Sequence, residues 1–273
     1  MDFITGDKFI KIADYHYFPD GANDNNILEN TFKVGNLKEG KIYVYSHTHH
    51  VRFLFDYINN HNIKNEIVLI THNSDVSVDQ NLFLKKPNNI TKWFSQNIDF
   101  NHEDLISIPI GLENYKWFPD INKKEKMVKK LLEGKNFKNI LYVNHNINNF
   151  HSERIIPYQI FKNKDWATLV SGQNGKNFDE YLDDLYNHKF IISPRGVGLD
   201  THRLWESLYM GTIPVEKINN NNIKYNDLPI CYIKNWNEIN EDFLNEEYTK
   251  IINKNWNLEK LNFIFWERLI KNQ

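Results

Sequence analysis

The sequence predicts an α/β fold with parallel sheets, organised as two βαβ-type halves facing a cleft. Three observations predict it. Short apolar, β-branched runs alternate with helical patterns along the 273 residues, the pattern of strands joined by helical crossovers. The composition shifts at 123–138, where KKEKMVKKLLEGKNFK reads as a solvated basic helix or linker, and the series of apolar runs then restarts. With 41% hydrophobic residues, including 7 Trp, 14 Tyr and 18 Phe, the chain can fill a core in each half and is too aromatic to stay disordered.

In the first half, strands are expected at 42–45, 67–70 and 105–110, a short buried segment at 89–94 and a helix at 51–58. In the second half, strands are expected at 139–143, 167–170, 190–192, 212–215 and 230–233. Helices are expected there at 152–161, 178–187 and 201–210. Phe178, Leu182 and Leu185 give the middle helix its apolar stripe. An amphipathic helix at 255–271, with Trp256, Leu261, Phe265 and Leu269, closes the chain. The expected domains are 1–130, 131–254 and a C-terminal helix at 255–273 that packs back on the first domain. Ligands of such sheets sit beyond the carboxyl ends of the strands.

Charge narrows the partners. A formal net charge of −2 supplies no global basic field for nucleic acid, so an anionic ligand must be held by local cations. The single cysteine, Cys231, excludes an intramolecular disulfide and fits a reducing compartment. Charges interrupt the N-terminus every few residues, and no stretch approaches 18 apolar residues. The expectation is a soluble, cytoplasmic protein.

The segment 190–215, FIISPRGVGLDTHRLWESLYMGTIPV, carries the functional argument. A buried strand runs out at Ser193. Arg195, Gly196, Val197 and Gly198 make a turn whose backbone can approach a ligand closely, and Asp200 or Thr201 can cap the helix that follows. Such a helix start attracts phosphate. On a helical wheel Thr201, Leu204 and Leu208 share one side with Trp205 on its flank, while His202, Arg203 and Glu206 share the other. A cation there suits a diphosphate, and a carboxylate one turn further in suits ribose hydroxyls. Arg203 and Glu206 equally fit an ordinary i,i+3 surface ion pair.

The string SPRGVGLDTHRLWESLYMGTIPV resembles the signature of the exostosin-like (family 47-like) glycosyltransferases. Further pieces agree in order: 70–75 (ITHNSD), 93–97 (WFSQN), 108–114 (IPIGLEN), 142–144 (YVN) and Glu153-Arg154, so the resemblance spans most of 40–215. It implies a GT-B fold of two Rossmann-like domains, with a nucleotide-sugar donor in the C-terminal half and an acceptor sugar in the N-terminal half. It further implies Arg154 as a diphosphate ligand with Arg195 and Arg203 beside it. The donor set is then Asn144, Arg154, Ser193, Arg195, Gly196, Gly198, Asp200, His202, Arg203 and Glu206. Arg154 also fits a solvated charge at a helix start, and Arg195 a turn-stabilising arginine.

No Asp-x-Asp triplet occurs, and Asp183-Asp184 sits in a helical pattern that reads as solvent-facing. Paired carboxylates would ordinarily hold Mg²⁺ or Mn²⁺, so leaving-group charge is expected to fall to arginine and a helix dipole, with no metal or cofactor beyond the donor co-substrate. An inverting transfer needs a base. Asp75, past a strand end, is the first candidate, with His72 and His47 in reserve; Asp75 also fits a turn cap. Asn73, Ser74 and Glu113 are expected at the acceptor. His47, His49 and His50 resemble part of a zinc loop, but Val51 and Arg52 stand where the further ligands of metallo-β-lactamase-like hydrolases would be, and in a strand-end loop the three histidines are expected to line the acceptor cleft.

The expected function is therefore transfer of a sugar, from a UDP-sugar by preference, to a glycan hydroxyl. The alternatives are a fucosyltransferase-like enzyme using a GDP-sugar, a non-catalytic glycan- or nucleotide-binding module, and a zinc hydrolase on the histidine cluster.

Overall fold

A computed structural model describes residues 2–19, 31–115, 126–130, 135, 137–170 and 177–273. Half of the basic run at 123–138 lies outside the described residues, as does position 131, where the second domain was expected to begin. The chain divides into two compact units. Unit 1 gathers Met1–Pro119, Gly198–Asp200 and Asn262–Gln273, and unit 2 gathers Asp120–Val197 and Thr201–Leu261.

Unit 1 holds a five-stranded parallel sheet of β1 (Tyr15–Tyr17), β2 (Ile42–His47), β3 (Ile67–His72), β4 (Ile90–Ser95) and β5 (Leu105–Ser107), in chain order. Residues along β2 and β3 are almost all buried, which explains their unbroken apolar runs. Helices α1 (Gly6–Ile10), α2 (Val51–Asn60) and α3 (Gln80–Phe83) belong to this unit. Helix α2 buries Val51, Leu54, Phe55 and Ile58, the spacing of a helix with one apolar face. They pack with Val44, Leu69 and Trp93 in the unit 1 core.

Unit 2 holds a second parallel sheet, of β6 (Asn139–Asn144), β7 (Ala167–Val170), β8 (His188–Ile192), β9 (Ile213–Lys217) and β10 (Cys231–Ile233). Its spatial order is β10-β9-β8-β6-β7, so the direction of travel reverses between β6 and β8. Helices α4 (His151–Phe161), α5 (Phe178–Asn187), α6 (His202–Tyr209) and α7 (Glu241–Ile252) accompany it. A reciprocal Asn177/Glu180 capping box starts α5. Leu141, Val143, Phe190, Ile192, Val215 and Ile233 fill the core from the sheet.

Some local expectations are corrected. Strand β5 ends at Ser107 rather than at 110. The C-terminal helix, α8, spans only Phe263–Lys271, because Asn262 caps it by accepting from the Ile264 N–H and so fixes its start. Its buried residues are Phe263, Trp266 and Ile270, a different face from the Phe265/Leu269 stripe expected. Asp184 is not solvent-facing. It is half-buried and hydrogen-bonded to Tyr142, while Asp183 is exposed and paired with Lys130.

Candidate functional site

The strand order reverses between β6 and β8, and the carboxyl ends of strands at such a reversal are where α/β sheets take ligands. Asn144 and His145 stand at the end of β6, and Ser193 to Val197 leave the end of β8.

Arg154, on the first turns of α4, is only 6% exposed. Its Nε donates to the Arg195 carbonyl at 2.9 Å and its Nη1 to the Asn146 carbonyl at 3.0 Å, with Nη2 3.4 Å from the Pro194 carbonyl. The guanidinium therefore braces the turn after β8. Burial and the nearby charge of Arg203 lower its pKa to about 10. Gly196 is required by close approach, since a Cβ there would lie 2.8 Å from Asn149 Oδ1 and 3.2 Å from Arg154 Nη2. Arg195 turns back on its own loop, donating to the Gly196 and Val197 carbonyls at 3.1 and 2.7 Å, with its guanidinium over the Phe150 ring.

Helix α6 follows the wheel. Leu204, Trp205 and Leu208 are buried, and His202, Arg203 and Glu206 are half-buried. Thr201 is the cap, with its hydroxyl accepting from the Leu204 N–H and 3.2 Å from Ser193 Oγ. Gly211, at φ 66°, ends the helix in the left-handed conformation that glycine tolerates best. Arg203 Nε is buried and has no hydrogen-bond partner among the described residues. A buried donor without an acceptor costs about 1–3 kcal/mol, so this cation is poised for an acceptor from outside.

Around Arg203 stand the charged groups Arg154 and Glu206 together with the neutral groups Tyr181, Tyr142 and His145. Tyr181 Oη donates to Glu206 Oε2 at 2.8 Å; burial first, then the Glu206 charge, hold that phenol far above its ordinary pKa, so it stays a donor. Tyr142, likewise raised by burial and by Asp184, accepts from Asn144 Nδ2 at 2.8 Å. His145 is buried and its Nε2–H donates to the Arg154 carbonyl at 2.8 Å. Burial, then Arg203, depress its pKa to about 4, so at neutral pH it is an uncharged ring.

Two residues expected at the donor group with unit 1 instead. Asp200 accepts from the Ile110 N–H at 2.8 Å and its own N–H donates to Asn97 Oδ1 at 2.8 Å. A Cβ on Gly198 would lie 2.9 Å from Asn97 Nδ2 and 3.0 Å from Asp75 Oδ1, so this glycine too answers to space.

The acceptor candidates collect at the carboxyl ends of β2 to β4. His47 and His72 are register partners on β2 and β3. His72 is buried against Phe9; its Nε2–H donates to the Pro109 carbonyl at 3.0 Å, and its Nδ1 faces the Asn73 amide oxygen at 2.9 Å. The neutral ring has one N–H, and here it is committed to Pro109, while Asp75 is an exposed carboxylate. Asn73 adopts φ 53° and accepts from Asn114 Nδ2 at 2.9 Å, while Ser74 Oγ lies 3.1 Å from His49 Nδ1. Glu113 Oε1 is 3.3 Å from the following N–H.

Asn97, Asn114, Asn149, Tyr142, His145 and Tyr181 all shape these networks and were not singled out from the sequence. The asparagines are lost among many, and Tyr181 declares itself only by sharing a helical face with Phe178. No protein-family model matches the chain, and no curated protein sequence matches it. Among the described residues, no helix is long and apolar enough to cross a membrane.

Proposed function

We propose that the chain is an exostosin-like glycosyltransferase that moves a sugar from a nucleotide-diphosphate sugar, UDP-linked by preference, to a glycan hydroxyl, with inversion and without a metal at the diphosphate. In this reading the two units are the two Rossmann-like domains of a GT-B enzyme, and the protein works in the cytoplasm. One observation carries the reading: Arg203 presents a buried, unpartnered Nε beside the Arg154-braced turn, where the sheet of unit 2 reverses its order. A diphosphate supplies the acceptor oxygens that this nitrogen lacks.

The chemistry follows from the groups present. The acceptor hydroxyl attacks the anomeric carbon, the bond from that carbon to the diphosphate oxygen breaks, and Asp75 receives the hydroxyl proton. Arg203 and the start of α6 offset the negative charge that builds on the departing diphosphate. Glu206, held by the Tyr181 hydroxyl, accepts from the ribose. Arg154 keeps the turn in shape.

The test is a thermal-shift screen of UDP, GDP and CMP and their sugars in EDTA. A ligand of the native state raises the melting temperature with its concentration. UDP species should give the largest rise. No rise with any nucleotide overturns the reading, and a rise that appears only with added Mg²⁺ or Mn²⁺ overturns its metal-free part.

A further inference from the structure

We propose that His47, His49 and His50 form a three-imidazole binding site for a zinc-type transition-metal dication. The inference goes beyond the transfer reaction and does not depend on it, since these residues belong to unit 1 and Arg154 and Arg203 to unit 2.

The backbone explains the convergence. Strand β2 ends at His47, and a 3₁₀ turn, Thr48–His50, follows at once. With three residues per turn, side chains at i and i+3 eclipse, so His50 comes round over His47, and His49 closes the third side. The His49 and His50 ring centroids lie 4.1 Å apart, those of His47 and His49 5.2 Å, and those of His47 and His50 5.8 Å. One ring nitrogen from each of the three lies within 4.8 Å of the others. Tetrahedral zinc, with Zn–N bonds of about 2.0–2.1 Å, needs its nitrogens about 3.4 Å apart, a gap that small ring rotations close.

The immediate surroundings fit that chemistry. His47 and His50 are buried and His49 is exposed, which gives an ion an entry side. His49 Nδ1 sits 3.1 Å from Ser74 Oγ, a contact that fixes the ring and directs Nε2 to the ion, as outer hydrogen bonds do in metal sites. Among the described residues the cluster gathers three imidazoles and no carboxylate, a donor set that suits zinc, cobalt or copper over magnesium or calcium, which demand oxygen.

The test uses the untagged full chain, stripped with a chelator and dialysed. Zn²⁺ is titrated against a chromophoric competitor, and Co²⁺ is followed by its visible absorption. One equivalent of Zn²⁺, a Co²⁺ band of low-coordinate type and no response to Mg²⁺ are expected. His49→Ala, on an exposed side chain, should weaken Zn²⁺ binding by at least about tenfold and change the Co²⁺ band, and His50→Ala should do the same. His61→Ala, on an exposed histidine beyond α2, should change neither. Substoichiometric binding to the wild-type chain overturns the site, and so does full-affinity binding in His49→Ala. Circular dichroism of each variant shows that the fold is kept; if His50→Ala unfolds, His49→Ala alone decides.

Discussion

Unit 1 and unit 2 carry the same number of parallel strands but order them differently. Unit 1 runs β1 to β5 in sequence, whereas unit 2 starts in the middle, steps outward to β7 and returns past β6 to β8. In unit 2 the loops after β6 and β8 therefore leave the sheet in opposite directions, and there burial, then Arg203 and Arg154 close by, lower the pKa of His145. In unit 1 the strand ends instead knit to one another through His72, Asn73, Asn97 and Asn114. Similar sheets can thus present a pair of neighbouring cations or a mesh of neutral amides, and connectivity and the side chains at a few strand ends decide which.

The contrast can be broken by mutation. The largest effect is expected in unit 1. Asp75→Asn should lower turnover by about 10²–10⁴-fold, the usual contribution of general base catalysis, while UDP affinity stays unchanged. Retained turnover would move the base elsewhere. In unit 2 the order inverts: Arg203→Ala should weaken UDP binding by about ten- to a hundredfold, the worth of a charge-assisted hydrogen bond, with the fold of the free protein kept by circular dichroism. Equal UDP affinity in isothermal titration would remove Arg203 from the donor site.

A paired comparison sharpens the point. Gly196→Ala and Gly198→Ala should each cost about 1–3 kcal/mol in urea melts, because each new methyl meets a packed amide. Only Gly196→Ala should also weaken UDP binding, since Gly196 alone touches the Arg154 brace. Loss of UDP binding in both would erase the distinction.

Acid gives the smallest effect near neutrality. Folding lowers the pKa of His145 from 6.5 to about 4, so the unfolded chain takes up this proton first as pH falls. The folded state keeps its full stability above pH 6.5 and loses up to about 3 kcal/mol by the time the pH passes below 4. His145→Gln should flatten that part of the stability profile, and an unchanged slope in urea melts at pH 4–6.5 would contradict the assignment.

Much of the fold was legible because it is written in periodicity. Helix α6 buries Leu204, Trp205 and Leu208 and leaves His202, Arg203 and Glu206 half-buried, as its wheel requires. The apolar runs at 42–45 and 67–70 are strands because both of their faces are covered. Helix α7 was not foreseen, since it buries only Leu244 and Ile251 among many polar residues. Strand β1 is too short to show a period. The phase of α8 was misjudged because it is set by one cap, Asn262, in a chain crowded with asparagine. At the site, residue types could be read but engagements could not. Nothing in the letters says that Arg154 is occupied by carbonyls while Arg203 Nε is not, or that Asp200 turns to Ile110. Those facts depend on strand order, which periodicity does not encode.

The Arg154 brace grips main-chain oxygens alone, those of Asn146, Pro194 and Arg195. Every residue type offers the same carbonyl, so the clamp is indifferent to most of the letters it holds. Val197, 51% exposed at the crest of that loop, can be randomised in a library without dismantling the scaffold beneath it. The crest can then vary in sequence while the arginine beneath it stays fixed, a division of labour that suits both natural divergence and laboratory grafting.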